Sequence, residues 1–232
     1  THPLISERQA IWGESTKNFA ISHGHSSENL LKVGSPRHDD FFNFKTKSSE
    51  TGFILLATTS ASGIFTEGST TDVLIKFDNF VREVCKVIKK FPEKKLIVKP
   101  HPQSDFINNI TNLIKDIDPK IKIVYDVDLP KLVSICDVVI SFNTSTILLE
   151  SIIMNKPAID LQIEDWSKED EIVKMNAVYP IDDISKIKDG LTKVLYDENV
   201  KKELLKNSKI FLKHYLYNHG SASKVMAKIL DD

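Results

Sequence analysis

Short apolar segments alternate with longer amphipathic segments from residue 53 onward, and this alternation constrains the fold more than any other feature of the sequence. We predict strands at residues 53–57, 96–98, 121–125, 138–141 and 158–161. We predict helices at residues 72–91, 104–117, 129–135, 182–195, 199–217 and 222–230, and a further helix that begins near residue 146. Continuous apolar strands between helices are typical of a parallel sheet that is covered on both faces. The sequence therefore predicts an α/β fold, a Rossmann-like doubly wound parallel sheet with helices on both faces.

The loops that follow these strands carry the unusual polar residues of the chain. In a doubly wound sheet, ligands bind outside the carboxyl ends of the strands. Three loops at such ends stand out, at residues 58–63, 99–102 and 141–146. Because the predicted sheet is parallel, all three loops should lie at one edge, and we expect a binding site there.

Five small polar residues fill the last of these loops, namely Ser141, Asn143, Thr144, Ser145 and Thr146. Ser, Thr and Asn cap helices, and the free N–H groups at a helix start attract anions. A well-capped helix is the alternative explanation, but one cap needs only one side chain. We predict that this loop holds the phosphates and the sugar of an activated donor.

A single carboxylate, Glu150, interrupts the apolar helix that follows. A capping box does not explain it, because that motif needs Ser or Thr three residues earlier, where this chain has Ile147. Thr146 and Glu150 share a helical face, so the carboxylate can accept hydrogen bonds from ribose hydroxyls beside the phosphates. The alternative is a partly buried ion pair with Lys156. The cost of an unpaired charge in an apolar helix favours the ligand.

The loop at residues 99–102 reads Lys-Pro-His-Pro. Its prolines stiffen the end of the strand and direct His101 toward the cleft. There the imidazole can donate a hydrogen bond to a phosphate oxygen or protonate a departing phosphate. The alternative is a histidine that is merely exposed at the end of a strand. We predict that Lys99 and His101 bind the donor and that His101 is catalytic.

The loop at residues 58–63 is rich in Ser and Thr and ends in Gly. Small residues let the backbone approach a ligand closely, so we include Ser60 and Ser62 among the donor-binding residues. A plain flexible loop is the alternative. The chain has neither a GxGxxG fingerprint nor a Walker A motif, so NAD binding and ATP hydrolysis lose sequence support.

Composition and charge argue against several functional classes. The net charge is −1, which gives no electrostatic case for nucleic acid as a partner. Cys85 and Cys136 lie in apolar segments without metal-ligand spacing, which predicts buried free thiols in a reducing compartment. HExxH, GxSxG and CxxC motifs are absent, so zinc proteases, serine hydrolases and thiol-redox proteins have no sequence support. We predict no metal and no cofactor, with the nucleotide-activated donor acting as substrate.

Several of these motifs together resemble a known family. The chain has Gly-Ser-Pro-Arg-His-Asp at residues 34–39, Lys-Pro-His-Pro at 99–102 and Asp-Val-Val-Ile-Ser-Phe-Asn-Thr-Ser-Thr at 137–146, followed by Leu-Glu-Ser and Asn-Lys-Pro. Across residues 30–230 this pattern resembles the C-terminal, donor-binding half of GT-B glycosyltransferases of the surface or capsular polysaccharide type. Relatives of that type include CDP-glycerol glycerophosphotransferases, bacterial sialyl- and polysialyltransferases and UDP-N-acetylglucosamine 2-epimerases.

The resemblance implies roles for particular residues. His101 would contact the donor phosphate. Thr144, Ser145 and Thr146 would bind the diphosphate or monophosphate at the helix start, and Glu150 would bind the ribose hydroxyls. The epimerases have Asp-Ser-Gly-Gly where this chain has Asn-Thr-Ser-Thr. The absence of glycine at this turn weakens the epimerase alternative.

The resemblance also implies a domain organisation. In GT-B enzymes the acceptor, and often the catalytic base, belongs to an N-terminal Rossmann domain. Residues 1–30 would be a connecting segment from such a domain, and residues 31–232 would form the donor-binding domain. The chain begins with Thr1 rather than Met, which predicts a piece of a longer protein. Alone, it would bind donor without turnover unless a missing N-terminal domain or a partner subunit supplies the other half.

The leading functional prediction is a metal-independent glycosyltransferase for surface polysaccharide synthesis. Its partners would be a nucleotide-sugar or a CDP- or CMP-linked donor and a glycan or lipid-linked acceptor. The alternatives are a UDP-N-acetylglucosamine 2-epimerase-like enzyme and a non-catalytic nucleotide-binding module. No apolar run approaches the roughly 20 residues of a membrane span. We predict a cytoplasmic location, with peripheral association at the inner membrane face as a variant of it.

Overall fold

The computed structural model describes residues 8–45, 52–59, 71–102 and 107–231. Its strands are β1 (Gln9–Ile11), β2 (Leu30–Lys32), β3 (Phe53–Ala57), β4 (Lys95–Lys99), β5 (Lys122–Ile123), β6 (Cys136–Phe142), β7 (Ala158–Leu161) and β8 (Tyr179–Ile181). Its helices are α1 (Glu14–Ser22), α2 (Asp39–Asn43), α3 (Thr71–Ile88), α4 (Ile107–Ile117), α5 (Leu129–Ser134), α6 (Thr146–Ile153), α7 (Glu171–Lys174), α8 (Ile187–Tyr196), α9 (Glu198–Tyr215) and α10 (Ala222–Asp231). The chain divides into two compact units, Thr1–Lys45 with Lys209–Asp232, and Thr46–Ser208.

The larger unit is built on a six-stranded sheet in the order β5-β4-β3-β6-β7-β8. Every neighbouring pair in this sheet runs parallel. The order reverses between β3 and β6, which places a topological switch point, and hence the expected ligand crevice, at the ends of these two strands. The predicted α/β fold with a parallel, helix-flanked sheet is confirmed.

Alternate side chains of β3 enter different apolar clusters. Ile54 and Leu56 belong to a cluster that includes Phe80 and Ile114, on α3 and α4. Leu55 and Ala57 belong to a second cluster, which includes residues of α5 and α6. Because successive side chains of a strand point to opposite faces, the two clusters cover the two faces of the sheet. This explains why the strand reads as a continuous apolar run.

The sequence prediction differs from the structure at the sheet edges. Strand β5 covers two residues rather than the predicted five, and β8 was not predicted. Pro180 interrupts the β8 segment, and a proline lacks the N–H that a central strand needs. Among the strands that the structure describes, β8 pairs only with β7, at the edge of the sheet. An edge position leaves one side of the strand unpaired, so the missing N–H is tolerated.

In the smaller unit, β1 pairs in parallel with β2, and residues after α9 pack against both. The Trp12 carbonyl accepts a hydrogen bond from the Tyr217 main chain at 2.6 Å. Gly34 has φ of +89°, and a Cβ at this position would lie 2.1 Å from the Tyr217 carbonyl oxygen. Both conditions require glycine. The predicted division into a connecting segment, residues 1–30, and a domain, residues 31–232, stays a prediction.

Asp39 joins the two ends of the chain within this unit. Its carboxylate accepts hydrogen bonds from the Ala222 main chain at 3.0 Å and from the Ser223 main chain and hydroxyl at 2.8 and 2.6 Å. Burial acts to raise the pKa of Asp39, but the hydrogen bonds from Ser223 and Ala222 outweigh it and hold the pKa below its usual value. The carboxylate therefore caps the start of α10.

In the described part of the chain, none of the helices is both long enough and apolar enough to cross a membrane.

We predict that Asp39→Ala lowers the free energy of unfolding by about 1–3 kcal/mol, because it leaves helix-start N–H groups without an acceptor. Urea unfolding followed by circular dichroism measures this loss. The neighbouring Asp40 is exposed, so Asp40→Ala is the matched control and should change stability by less than about 0.5 kcal/mol. Equal losses in the two variants would contradict the capping role.

A second prediction concerns His38, which is fully buried against Trp12 and Phe41 and contacts the Ser35 hydroxyl at 2.7 Å. Burial, and then the charge of Arg37, lower its pKa to about 4. The unfolded chain takes up this proton near pH 6.5, so stability is lost as the pH falls from about 6.5 toward 4. Between pH 7.5 and 5 the loss should be about 2 kcal/mol.

Urea unfolding at several pH values tests this expectation. His38→Gln removes the titration but keeps a polar partner for the Ser35 hydroxyl. Its stability should fall less steeply between pH 7.5 and 5 than that of the wild type. The same slope in both proteins would show that the acid sensitivity arises elsewhere.

Candidate functional site

The ends of β3, β4 and β6 are joined by side-chain and main-chain hydrogen bonds. The Thr58 main chain donates to the Lys99 carbonyl at 3.0 Å, and the His101 main chain donates to the Thr58 hydroxyl at 3.2 Å. The Ser141 hydroxyl, fully buried, donates to the Ala57 carbonyl at 2.9 Å. The structure therefore brings Lys99, His101 and Ser141 to one edge of the sheet. Ser60 and Ser62 lie outside the described residues.

The loop between β6 and α6 contains two consecutive residues in the left-handed region, Asn143 with φ of 45° and Thr144 with φ of 53°. Asn tolerates this conformation, whereas for a β-branched residue such as Thr it is uncommon and strained. Such strain persists only where the surrounding contacts fix the backbone, and it occurs often at ligand sites. The contacts that fix this loop come from residues 160–170.

The Asn143 side chain is buried and has a fixed orientation. Its Oδ1 accepts hydrogen bonds from the main chains of Ile163 at 2.9 Å and Glu164 at 3.3 Å. Because two N–H groups point at one atom, that atom must be the amide oxygen. The other end, Nδ2, is buried and has no acceptor among the described residues. A buried donor without a partner is costly, so this amide is suited to an acceptor atom of a ligand.

Two carboxylates hold Thr144. Its main chain donates to Asp160 Oδ1 at 2.9 Å, and its hydroxyl donates to Asp170 Oδ2 at 3.1 Å. Asp160 is fully buried on β7, and Gln162 Nε2 lies 3.5 Å from its Oδ2. Burial, and with it the charge of Asp170, raises the pKa of Asp160 to about 7, against the hydrogen bonds from Thr144 and Gln162.

Helix α6 begins at Thr146, and none of the described side chains caps it. Ser145 occupies the cap position without a side-chain hydrogen bond to the helix, and its main chain donates to the Phe142 carbonyl at 3.0 Å. Ser145 is half-buried and Thr146 is exposed. The well-capped helix that was the alternative explanation for this loop is therefore not what forms. The first N–H groups of a helix lack intrahelical acceptors, so the start of α6 can receive an anion.

Glu150 lies on α6 with 2% of its surface exposed. Lys156, the partner in the alternative explanation, donates from Nζ to the Ser134 carbonyl at 2.6 Å. The predicted contact between Glu150 and a ribose stays a prediction.

His101 is half-buried at the end of β4. Burial, and then the charge of Lys99, lower the pKa of His101 below its usual value. The imidazole is therefore mostly neutral at neutral pH, and a neutral ring keeps one N–H donor for a phosphate oxygen.

Sequence reasoning missed Asp160, Gln162 and Asp170. Asp160 had a detectable signal, since a carboxylate within an apolar strand is as unusual as one within an apolar helix. Asp170 stands in a charged segment, where nothing distinguishes it from its neighbours. In the ranges described, no group of three His, Cys, Asp or Glu side chains could hold a metal ion. The absence of a metal requirement stays a prediction.

Similar solved structures share this fold. S. aureus MnaA with UDP has a TM-score of 0.72 at 15% identity, over 98% of this chain and 61% of that one. The Neisseria meningitidis UDP-GlcNAc 2-epimerase bound to UDP-GlcNAc has a TM-score of 0.69 at 17% identity, over 97% and 61%. The wall teichoic acid polymerase TagF has a TM-score of 0.59 at 15% identity, over 97% and 57%.

These likenesses show a GT-B-like, Rossmann-like fold. The chain spans between 57% and 61% of the length of the three structures named here. No curated protein sequence matches the chain. A sequence model of the LIC12162 family transferases matches residues 4–177, which is more than half of the chain. The chain therefore belongs to the LIC12162 transferase family.

Proposed function

We propose that this chain is the donor-binding part of a glycosyltransferase and that the loop between β6 and α6 binds the diphosphate of a nucleotide-activated sugar. The observation that carries the proposal is the Asn143 amide, which is buried, fixed in orientation and left with a donor that lacks an acceptor among the described residues. A phosphate oxygen is a strong acceptor and would satisfy it.

The surroundings of the amide supply the other groups that a phosphate needs. The start of α6 lies three residues further along the chain and offers main-chain N–H groups and the positive end of a helix dipole. Ser145 and Thr146 add hydroxyl donors. The Thr144 N–H is occupied by Asp160, so in this proposal Thr144 shapes the loop and Asn143 provides the donor.

His101 would act as a hydrogen-bond donor to the leaving diphosphate. Its lowered pKa makes the neutral ring the main form at pH 7, so charge stabilisation by an N–H suits it better than proton transfer from an imidazolium. Lys99 stands two residues away and would contribute positive charge. Glu150 would accept hydrogen bonds from the ribose hydroxyls, with Ser60 and Ser62 completing the donor site. Ser141, whose hydroxyl donates to the Ala57 carbonyl, would position the loop rather than contact the donor.

Relatives support a nucleotide-sugar donor. UDP is present in the MnaA structure, and UDP-GlcNAc is bound to the Neisseria meningitidis enzyme. TagF is a polymerase of wall teichoic acid, which supports a role in surface polysaccharide synthesis, with a glycan or lipid-linked acceptor. The remaining two-fifths of these relatives would correspond to an N-terminal domain or partner subunit that binds the acceptor. We propose a cytoplasmic location for this reaction, with peripheral association at the inner membrane face as a variant of it, and no metal requirement.

An epimerase-like activity is the second candidate, because a UDP-GlcNAc 2-epimerase is among the similar structures. The turn Asn-Thr-Ser-Thr, which lacks the glycines of the epimerase turn, argues for the transferase. A non-catalytic nucleotide-binding module would share the same site. Formation of the 2-epimer from UDP-GlcNAc in the absence of any acceptor would favour the epimerase, since a transferase does not form it.

Isothermal titration of the chain with CMP, CDP, UDP and UDP-GlcNAc tests the proposal directly. We expect saturable binding of at least one of these nucleotides, with UDP-GlcNAc and UDP as the first candidates. Lack of binding to all four would remove the donor-site proposal. Binding without product from any acceptor would leave the non-catalytic module.

Asn143→Asp is the sharpest single test of the site. The carboxylate keeps an oxygen for the Ile163 and Glu164 N–H groups, so the loop should fold, but it replaces the Nδ2 donor with a negative oxygen. We expect nucleotide affinity to fall at least about tenfold, which corresponds to the loss of one charge-assisted hydrogen bond of about 1.5–3 kcal/mol. Unchanged affinity would refute the role given to the amide.

The matched control is Asn176→Asp. Asn176 also has a left-handed backbone, with φ of 52°, but it is exposed in the turn after α7. This variant should bind nucleotide as the wild type does.

We also expect His101→Ala and Glu150→Ala each to weaken nucleotide binding while the circular dichroism spectrum stays native. His23→Ala, at an exposed histidine of α1's C-terminal turn, serves as the control. If both site variants bind like the wild type, the assignment of these two residues to the donor site is wrong.

A further inference from the structure

Asp160 places a buried carboxylate directly behind the loop that is proposed to bind phosphate. Its Oδ1 lies 2.9 Å from the Thr144 main-chain nitrogen, one residue after Asn143 and one before Ser145. The side chain is fully buried, and no Lys, Arg or His of the described residues forms an ion pair with it or with Asp170. A buried carboxylate without a cation is costly in its ionised form.

A diphosphate at this loop would add negative charge beside an acidic pair. The Asp160 and Asp170 side chains both contact Thr144, from the main-chain side and from the hydroxyl side respectively. Repulsion between the ligand and an ionised Asp160 would be strong, because the low polarity of a buried site weakens screening. One of these negative charges has to be neutralised for tight binding.

Protonation of Asp160 resolves this conflict without disturbing the loop. When a proton from solvent is placed on Oδ2, Oδ1 remains a carbonyl-type acceptor for the Thr144 N–H. The Gln162 amide, 3.5 Å from Oδ2, can then turn its oxygen toward the new O–H, whereas its N–H faces the ionised form. The same pair of side chains therefore accommodates both protonation states.

We propose that binding of the donor diphosphate is coupled to uptake of one proton by Asp160, which then holds Thr144 as a neutral carboxylic acid. This inference rests on the proposed function. It makes Asp160 a positioning residue whose protonation sets the affinity of the site for anions.

The pKa of Asp160 supports the coupling between donor binding and proton uptake. With a pKa near 7 in the free protein, Asp160 is partly ionised at neutral pH, so a nearby anion can shift the balance toward the acid. Asp170 is the charged group that faces it from the segment before α7, and Gln162 and the Thr144 main chain are its polar neighbours. On the neighbouring strands, Ser141 and Pro180 stand opposite Asp160 and carry no charge.

The test is isothermal titration with UDP-GlcNAc in buffers of different ionisation enthalpy between pH 6 and pH 8. Both phosphates of this probe are esterified, so it lacks the second ionisation near pH 6 of a terminal phosphate. The wild type should take up a fraction of a proton near pH 7, and its affinity should weaken about tenfold from pH 6 to pH 8, as the binding-competent fraction falls.

Asp160→Asn keeps an oxygen for the Thr144 N–H but cannot titrate. It should bind UDP-GlcNAc without proton uptake, with an affinity at pH 8 close to that of the wild type at pH 6. Asp137→Asn is the control, since Asp137 lies at the opposite end of β6 and pairs with Lys94 at 2.6 Å. It should keep the proton uptake of the wild type. Asp160→Ser replaces Asp160→Asn if the latter does not fold.

The possible outcomes test the coupling and the proposed function separately. Binding by the wild type with no proton uptake and no pH dependence would overturn the coupling and leave the proposed function intact. Persistent proton uptake in Asp160→Asn or Asp160→Ser would overturn the assignment to Asp160. Absence of binding by the wild type at every pH would overturn the proposed function and this inference with it.

Discussion

The hydrogen bond from the Thr144 main chain to Asp160 is the interaction on which the geometry of the site depends. Thr144 has a left-handed backbone, which a β-branched residue adopts only when other contacts compensate the strain. Asp160, fixed in the sheet on β7, supplies that contact at 2.9 Å. This left-handed turn at residues 143–144 places Asn143 against residues 163–164 and determines where α6 begins. A strand residue in the core thus determines the direction of the polar groups at the sheet edge.

The alternation of apolar strands and helices was enough to predict the parallel sheet, because each central strand is buried on both faces and must read as an apolar run. The same pattern failed at the two edge strands, β5 and β8, because edge strands are less completely buried. Strand β8 carries Pro180 and pairs on one side only, so its sequence lacks the signal of a central strand. Strand β5, also at an edge, is shorter than its apolar pattern predicted. Burial creates the pattern, and where burial is partial the pattern weakens.

The sequence was enough to predict that these polar residues meet at one edge of the sheet, but not which contacts they make there. Parallel strands place their carboxyl ends at one edge, which was sufficient to group His101 with Ser141 and Asn143. Which hydrogen-bond donor of these loops remains available for a ligand depends on the tertiary hydrogen bonds that the others make. The Ser141 hydroxyl donates to the Ala57 carbonyl, and the Thr144 N–H to Asp160. The Asn143 amide, in contrast, retains a donor without an acceptor among the described residues. A single sequence does not encode such partners in any local spacing.

Asp160 is the one charged residue in the otherwise apolar strand β7. Its folded pKa of about 7 exceeds the 3.8 of an ordinary Asp, so the unfolded chain ionises first. Its contribution to stability is fully present below about pH 3.8 and is lost as the pH rises toward 7. An apolar residue of similar size in the same strand would avoid that loss, as buried charged groups elsewhere can be replaced by apolar ones without destabilisation. An apolar side chain, however, could not accept the Thr144 N–H, and the strained turn would lose the contact that holds it. The carboxyl group is therefore explained by the geometry of the loop rather than by the stability of the sheet.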